Sequence, residues 1–146
     1  MNYIEEAAHI LRPAEGFRPT VYKDSVDVLT VGYGHNLESN AITISIANSM
    51  LYDDIASSIF YLKKTFPNFH TNTNARKTAM ICMMFQLGPT SFQEFKKFIK
   101  HAKAKRWHDA AKEMLDSKWG RNHPERVLFL SRVLNYDMLK PPASSN

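Results

Sequence analysis

Cysteine, glycine and long apolar runs are all scarce in this sequence. Its one cysteine among 146 residues, Cys82, cannot form an internal disulfide, so the fold does not depend on an oxidising compartment. With five glycines, seven prolines and 44% hydrophobic residues, the composition excludes collagen-like and low-complexity chains. The longest apolar run, residues 79–85, is far too short to span a membrane. These features indicate one ordinary globular domain with its own core.

Negative charge is also in short supply. Fourteen acidic residues face 19 lysines and arginines, which gives a net charge of +5 and a sequence pI of about 9.4. Such a surface attracts polyanions, including nucleic acid, acidic lipid and an anionic cell wall, and charge alone does not choose among them. The first residues include Glu5 and Glu6, where a secretory signal would carry positive charge, so we expect synthesis in a cytoplasm without a signal peptide.

Periodicity predicts a short helix, a small sheet and then about five helices. The first helix covers residues 3–12 and should end before Pro13, and β-branched runs at 20–22 and 28–31 predict an antiparallel hairpin. A long helix is predicted over about 44–64, and another should run from residue 73 or 74 to a stop at Gly88-Pro89. Ser91 and Glu94 have the spacing of a capping box, which predicts that a helix begins there. The last two helices are predicted near Trp107 and after Pro124.

Because the strands and helices are segregated along the chain, the fold class is predicted to be α+β. We expect a small antiparallel sheet lobe, about residues 13–60, and a larger helical lobe, residues 1–12 with 61–140. The active-site cleft should lie between the two lobes of this single domain, residues 1–146, and residues 141–146 should form a flexible tail.

Two carboxylates stand out for their placement. Glu15 follows the first predicted helix and Asp24 lies nine residues later, in the hairpin turn. Glycoside hydrolysis needs such a pair, one group to protonate the leaving oxygen and one to activate water. Spacing alone is weak support, since most Glu and Asp residues are simply solvated. Asp27, in the same turn, is a rival for the second carboxylate.

The residues around this pair form a longer pattern. Glu15 is separated by eight residues from Asp24, which is separated by five from Thr30, and Val31-Gly32-Tyr33-Gly34-His35 follows. This pattern resembles the signature of the phage lysozymes, the endolysins of glycoside hydrolase family 24. The likeness continues in order through residues 76–88, 105–107, 117–119 and 124–126, and so covers nearly the whole chain.

The resemblance implies roles for individual residues. Glu15 would be the general acid, while Asp24 and Thr30 would hold the attacking water; Asp24 is preferred to Asp27 because it keeps both family spacings. The resemblance also implies an arginine beside the catalytic acid, Arg126, and a structural histidine, His35, with Asp54 as its carboxylate partner. We expect Gly34 and Gln86 to contact the substrate. Trp107 and Trp119 are expected to pack in the core.

The resemblance further implies a lysozyme-like fold and a monomeric muramidase that cleaves the β-1,4 bond between N-acetylmuramic acid and N-acetylglucosamine with inversion. It would lyse the host cell as a phage endolysin, acting on periplasmic peptidoglycan after holin-dependent release from the cytoplasm. We expect no cofactor and no metal, because the six histidines form no ligand motif.

Other functions stay open at this point. The chain could be a catalytically silent lysozyme-fold module that binds the wall or a partner. It could also be a basic nucleic-acid binder, although only a lysine-rich helix supports this and no recognisable motif accompanies it, so no nucleic acid is expected. Electrostatic contact with an anionic wall or outer-membrane lipid is a further expectation from the charge of residues 96–106.

Overall fold

The computed structural model describes residues 2–141, so most of the predicted tail, residues 142–146, lies outside the described residues. The described chain contains helices and a small sheet in the following order: α1 (Tyr3–Glu15), β1 (Arg18–Lys23), β2 (Leu29–Gly32), β3 (His35–Asn36), α2 (Ile44–Thr65), a 3-10 turn (Phe69–Thr71), α3 (Asn74–Gln93), α4 (Lys96–Lys103), α5 (Trp107–Leu115), α6 (Lys118–Asn122) and α7 (Pro124–Tyr136). The predicted α+β class is confirmed.

By their internal contacts the residues form two compact units, residues 1–49 and 50–146. We call them the sheet unit and the helical unit. The sheet unit contains α1, the three strands and the start of α2, whereas the sequence had assigned residues 1–12 to the helical lobe. No helix within residues 2–141 combines the length and apolarity needed to cross a membrane.

The sheet is an antiparallel meander in the order β1, β2, β3, with Thr30 of the central strand paired to Tyr22 on one side and Asn36 on the other. The predicted hairpin is confirmed, and the two-residue strand β3 was too short to show a pattern. The prediction that the first helix ends before Pro13 was wrong. Helix α1 continues to Glu15, and its end is fixed by Gly16, whose N–H donates to the Arg12 carbonyl at 3.0 Å with a left-handed φ of 71°.

The core of the helical unit is built around α3. Ala79, Met80, Met83 and Met84 are buried, as the predicted central helix required. Cys82 is half-buried in the same helix, and this burial raises the pKa of its thiol. The regular helix stops at Gly88, whose φ of 77° breaks the helical path at the predicted position, and a second helical segment, residues 89–93, follows this kink within α3.

The predicted capping box at Ser91 does not open a helix, because Ser91 lies inside the helical segment 89–93. The Glu94 N–H donates to the Ser91 carbonyl at 3.1 Å, which ends this segment instead of starting a new helix. Helix α4 therefore begins only at Lys96. The short helix α6 was not predicted, because its five residues, Lys118–Asn122, are too few to establish a helical period.

Both tryptophans pack as expected. Trp119 is buried, with its ring edge-to-face against Phe95 at 6.3 Å. Trp107 is half-buried beneath the Arg76 guanidinium, 4.9 Å from the ring centroid. Arg76 also donates from Nε to the Leu134 carbonyl at 3.0 Å, and it is 3.4 Å from the carboxylate of Asp137. This one side chain therefore ties the start of α3 to the end of α7 and to α5.

Candidate active site

The three predicted catalytic residues all lie in the sheet unit, on successive pieces of structure. Glu15 is the last residue of α1, Asp24 begins the turn between β1 and β2, and Thr30 lies in β2. Local chain geometry within this unit therefore sets much of their placement.

Asp24 is held by the backbone of its own turn. Its Oδ1 accepts hydrogen bonds from the N–H groups of Val26 and Val28, both at 2.9 Å. The Asp24 N–H in turn donates to the Val28 carbonyl at 2.9 Å, which closes the hairpin. Among residues 2–141 no donor reaches Oδ2. The carboxylate is therefore fixed through one oxygen, and the other oxygen is available to a water molecule.

Asp27 has a different place in the turn. Its φ of 65° is left-handed, a conformation that Asp tolerates better than most residues, so the turn forms without a glycine at this position. Its carboxylate is 3.0 Å from Lys23 Nζ, and its side chain is 77% exposed. This geometry favours Asp24 as the water-binding carboxylate, because Asp27 serves the turn and faces a solvated cation.

Thr30 is buried, with 3% of its surface exposed, and its hydroxyl donates to the Val28 carbonyl at 2.8 Å. The hydroxyl hydrogen is thereby used, and the lone pairs of Oγ1 are left to accept a hydrogen. Val28 consequently holds both residues, since its N–H binds Asp24 and its carbonyl binds Thr30. The two side chains share one backbone anchor, which fixes them relative to each other.

Glu15 is exposed, and its carboxylate lies against Gly34 in the turn between β2 and β3. A methyl group built on Gly34 would come within 2.7 Å of Glu15 Oε2, so glycine at this position leaves the room that the carboxylate occupies. Gly34 also has a left-handed φ of 74°. The sequence nominated Gly34 only as a substrate contact, and the structure places it beside the predicted acid.

His35 lies in β3, half-buried, with Nε2 3.0 Å from the Asn40 carbonyl. A carbonyl can only accept, so Nε2 donates, and the ring ties β3 to the connection that leads to α2. Asp54 belongs to the helical unit, where it lines a cavity of about 210 Å³ together with Tyr61 and Phe85. Its pairing with His35 stays a prediction.

Arg126 and Gln86 also belong to the helical unit, and both are exposed. Arg126 lies in the first turn of α7 and, with His123 and Phe129, lines an open depression. Gln86 lies near the end of the regular part of α3. The pairing of Arg126 with Glu15 and the substrate contact of Gln86 stay predictions.

Two further features were missed from the sequence. The rings of Phe17 and Tyr33, which adjoin Gly16 and Gly34, pack at a tilt of 45°, with centroids 5.5 Å apart and exposures of 64% and 49%. The only sequence signal was an aromatic residue adjoining Gly16 and another adjoining Gly34. The second feature is a groove of about 680 Å³ in the helical unit, lined by residues of both charges that include Glu113, Lys118 and His123. Within residues 2–141, no three His, Cys, Asp or Glu side chains are grouped as metal ligands would be.

Comparison with known proteins identifies the family of this chain. The family model described as Phage lysozyme matches residues 12–132. Two relatives from Dictyostelium discoideum are similar over most of their length. "Probable T4-type lysozyme 1" is 30% identical, covering 80% of this chain and 86% of the relative, and "Probable T4-type lysozyme 2" is 26% identical, covering 90% and 94%. The chain therefore belongs to the phage lysozyme family and is a lysozyme, a muramidase-type glycosidase whose substrate is peptidoglycan.

Proposed function

We propose that the enzyme cleaves the β-1,4 bond between N-acetylmuramic acid and N-acetylglucosamine by a single displacement with water. The observation that carries this proposal is the shared anchoring of Asp24 and Thr30 on Val28. One free carboxylate oxygen and one hydroxyl oxygen are thereby held as acceptors in a fixed relation. Two acceptors can bind both hydrogens of one water molecule and orient its oxygen for attack.

The proposed reaction needs no group beyond these side chains and water. Protonated Glu15 donates its proton to the glycosidic oxygen as the bond from C1 to that oxygen breaks. The water oxygen attacks C1 from the opposite face and gives a proton to Asp24, while Thr30 keeps the water in line. Asp24 ends protonated and Glu15 ionised, and exchange with solvent restores both. Such inversion requires the two carboxyl groups to be about 6.5–9.5 Å apart when substrate is bound.

The other predicted residues take supporting roles in the proposal. Arg126 would lie close to Glu15 and stabilise its ionised form after proton transfer, and Asp54 would orient His35. Gly34 and Gln86 would contact the glycan. The exposed Phe17–Tyr33 pair offers apolar ring faces next to Glu15, which suit the apolar face of a sugar ring.

The anomeric form of the first product tests this mechanism. Cleavage of a β bond with inversion gives the α anomer at the new reducing end before mutarotation equilibrates it. We therefore expect time-resolved proton NMR of a soluble peptidoglycan oligosaccharide to show the α anomer in excess during the first turnovers.

Each other outcome has a definite meaning. An initial β anomer would show retention and would make Asp24 a nucleophile. A 1,6-anhydro sugar would show transglycosylation without water. If pure enzyme cleaved no glycan, the alternative of a catalytically silent wall-binding or interaction module would replace the proposal.

We also propose that the protein acts as a monomeric phage endolysin. It would be made in the bacterial cytoplasm, reach periplasmic peptidoglycan through holin-dependent release, and lyse and kill the cell. Membership of a family of phage lysozymes supports this role. Both relatives named above come from Dictyostelium discoideum, a cellular organism, so family membership does not by itself assign the role.

Expression in a bacterium tests whether lysis depends on permeabilisation of the inner membrane. We expect cells that make the protein to remain turbid until the inner membrane is permeabilised, by a holin or by chloroform, and then to lyse within minutes. A Glu15→Gln variant made at the same level should not lyse them. Lysis that begins without permeabilisation would contradict holin dependence and leave the enzymatic proposal intact.

A further inference from the structure

Charge is divided unevenly between the two units. Residues 1–49 contain six acidic residues and three lysines or arginines, a net charge of −3. Residues 50–146 contain eight acidic residues and 16 lysines or arginines, a net charge of +8, and the two values together give the +5 of the chain. The attraction to polyanions therefore resides in the helical unit.

Much of this positive charge lies in one short stretch of α4 and the turn after it. Six cations within residues 96–106 are all exposed, and we call them the lysine strip: Lys96, Lys97, Lys100, Lys103, Lys105 and Arg106. The opposite face of α4 is anchored in the core through Phe98 and Ala102, which are buried. The strip therefore faces away from the core.

Helix stability explains only part of the strip. Lys100 and Lys103 lie in the last turn of α4, where the helix dipole favours cations. Lys96 and Lys97 lie in the first turn, where the dipole disfavours cations, and this turn contains no acidic residue. Lys96 and Lys100 are four residues apart, so their like charges repel along one face, and an external anion would relieve this repulsion.

Direct ion pairs within residues 2–141 do not neutralise the strip, although Glu94, Glu113 and Asp116 line the same groove as Lys96 and Lys97. Within residues 2–141 none of the six cations lies within 4.0 Å of a carboxylate oxygen, since the ion pairs there are Lys23–Asp27 and Arg76–Asp137. The strip's side-chain hydrogen bonds go to uncharged or weakly basic groups. Lys105 Nζ donates to Thr71 Oγ1 at 3.2 Å, and Arg106 Nε donates to His101 Nδ1 at 3.1 Å.

The composition of the strip indicates the kind of anion. Five of its six cations are lysines, which meet phosphates as compact point charges. Within residues 96–106 the Phe98 ring is buried, and the half-buried His101 ring is bonded to Arg106, so the strip has no fully exposed ring on which a nucleic-acid base could stack. A convex helix face about 12 Å long, from eight residues at about 1.5 Å each, suits a flat array of phosphates.

We propose that the lysine strip docks the helical unit on the phosphate headgroups of an anionic phospholipid bilayer. This inference rests on the proposed function in one respect: an enzyme that cuts peptidoglycan works beside the bacterial membrane. The contact is electrostatic and does not insert, because the apolar face of α4 is already used in the core. It should therefore weaken as salt is raised.

Vesicle sedimentation tests the docking surface. The probe is a vesicle of phosphatidylglycerol mixed with phosphatidylcholine, and the variant is Lys100→Gln with Lys103→Gln. We expect a loss of apparent affinity of about 30-fold, since each lysine close to an anionic surface contributes about fivefold. The matched control, Lys112→Gln with Lys140→Gln, removes the same charge from exposed sites outside the strip and should stay within about twofold of wild type.

Several results would overturn the proposal. Equal losses in both double variants would mean that net charge acts without a defined surface. Failure of the wild type to bind these vesicles, or equal binding to vesicles of phosphatidylcholine alone, would exclude an anionic bilayer as the partner. Binding to a single-stranded oligonucleotide that needs the strip, without vesicle binding, would assign the surface to nucleic acid.

The docking proposal and the enzymatic proposal fail separately. Glu15→Gln should bind vesicles as wild type does, and the Lys100→Gln, Lys103→Gln variant should cleave lipid-free peptidoglycan at the wild-type rate. Absent vesicle binding with intact cleavage would end the docking proposal alone. Intact, strip-dependent vesicle binding without cleavage would support docking and end only the enzymatic proposal.

Discussion

Glu15→Gln lowers kcat/KM for peptidoglycan by about 1,000-fold, the central value for loss of a general acid, or about 4 kcal/mol in the barrier. Glutamine has nearly the same shape as glutamate, so it fits beside Gly34 without disturbing the turn. Its amide cannot supply the proton that the leaving oxygen needs. Because Glu15 is exposed, the free energy of unfolding should change by no more than about 0.5 kcal/mol. Rates of wall clearing and thermal unfolding by circular dichroism measure the two quantities.

Glu6→Gln is the matched control. Glu6 is an exposed glutamate in the same helix, α1, and lies in its first turn. Its loss removes the same charge from the sheet unit and a small favourable interaction with the helix dipole. Activity should stay within about twofold of wild type, because only a surface charge is lost. Clearing by Glu15→Gln at the rate of the Glu6→Gln control would remove Glu15 from the mechanism.

The sequence was informative about Asp24 and Thr30 because the geometry that relates them is local. Asp24, Val28 and Thr30 lie within seven consecutive residues, and hydrogen bonds inside one hairpin fix their relation. The motif shared with the family therefore nominated Asp24 and Thr30, and the structure joins both to Val28. The motif did not reveal Val28, because that residue contributes its backbone N–H and carbonyl, and every non-proline residue has both.

The contact between Glu15 and Gly34 was not predictable in the same way. Eighteen residues separate them, and their closeness depends on where the end of α1 meets the turn after β2. A glycine in a turn already has a local explanation in its left-handed backbone, so nothing in the sequence demanded a second one. The same limit applies to Arg126, whose predicted partner lies in the other unit.

Local signals in the helical unit failed where two of them competed. Gly88 breaks α3 at the predicted position, because a glycine with positive φ before a proline interrupts the helical path. Ser91 and Glu94 have the spacing of a capping box, yet Ser91 lies inside the helical segment after that kink, and the Glu94 N–H donates to the Ser91 carbonyl. The burial of Phe92 and Phe98 fixes the path there, so packing overrides the capping signal.

Gly34→Ala is expected to lower kcat by about 100-fold, the loss that a displacement of about 1 Å in a catalytic group produces. The new methyl group would be 2.7 Å from Glu15 Oε2, so the carboxylate must move away. Its movement costs little folding energy, because the atom displaced is the end of a flexible side chain. The clash itself should therefore damage catalysis far more than stability, and backbone strain is a separate cost.

Gly32→Ala separates this effect from backbone strain. Gly32 has nearly the same left-handed conformation, with φ of 69° against 74° at Gly34, but nothing lies within 4 Å of a methyl group built there. Both variants should lose about 1–2 kcal/mol of unfolding free energy, the cost of a left-handed alanine. Only Gly34→Ala should lose kcat.

If Gly34 served solely as a substrate contact, its variant would raise KM and leave kcat unchanged. Equal kcat losses at Gly32 and Gly34 would assign the effect to strain in the turn. A fall in kcat confined to Gly34→Ala, with equal unfolding free energies in the two variants, would show that Glu15 needs the space that a glycine leaves at position 34.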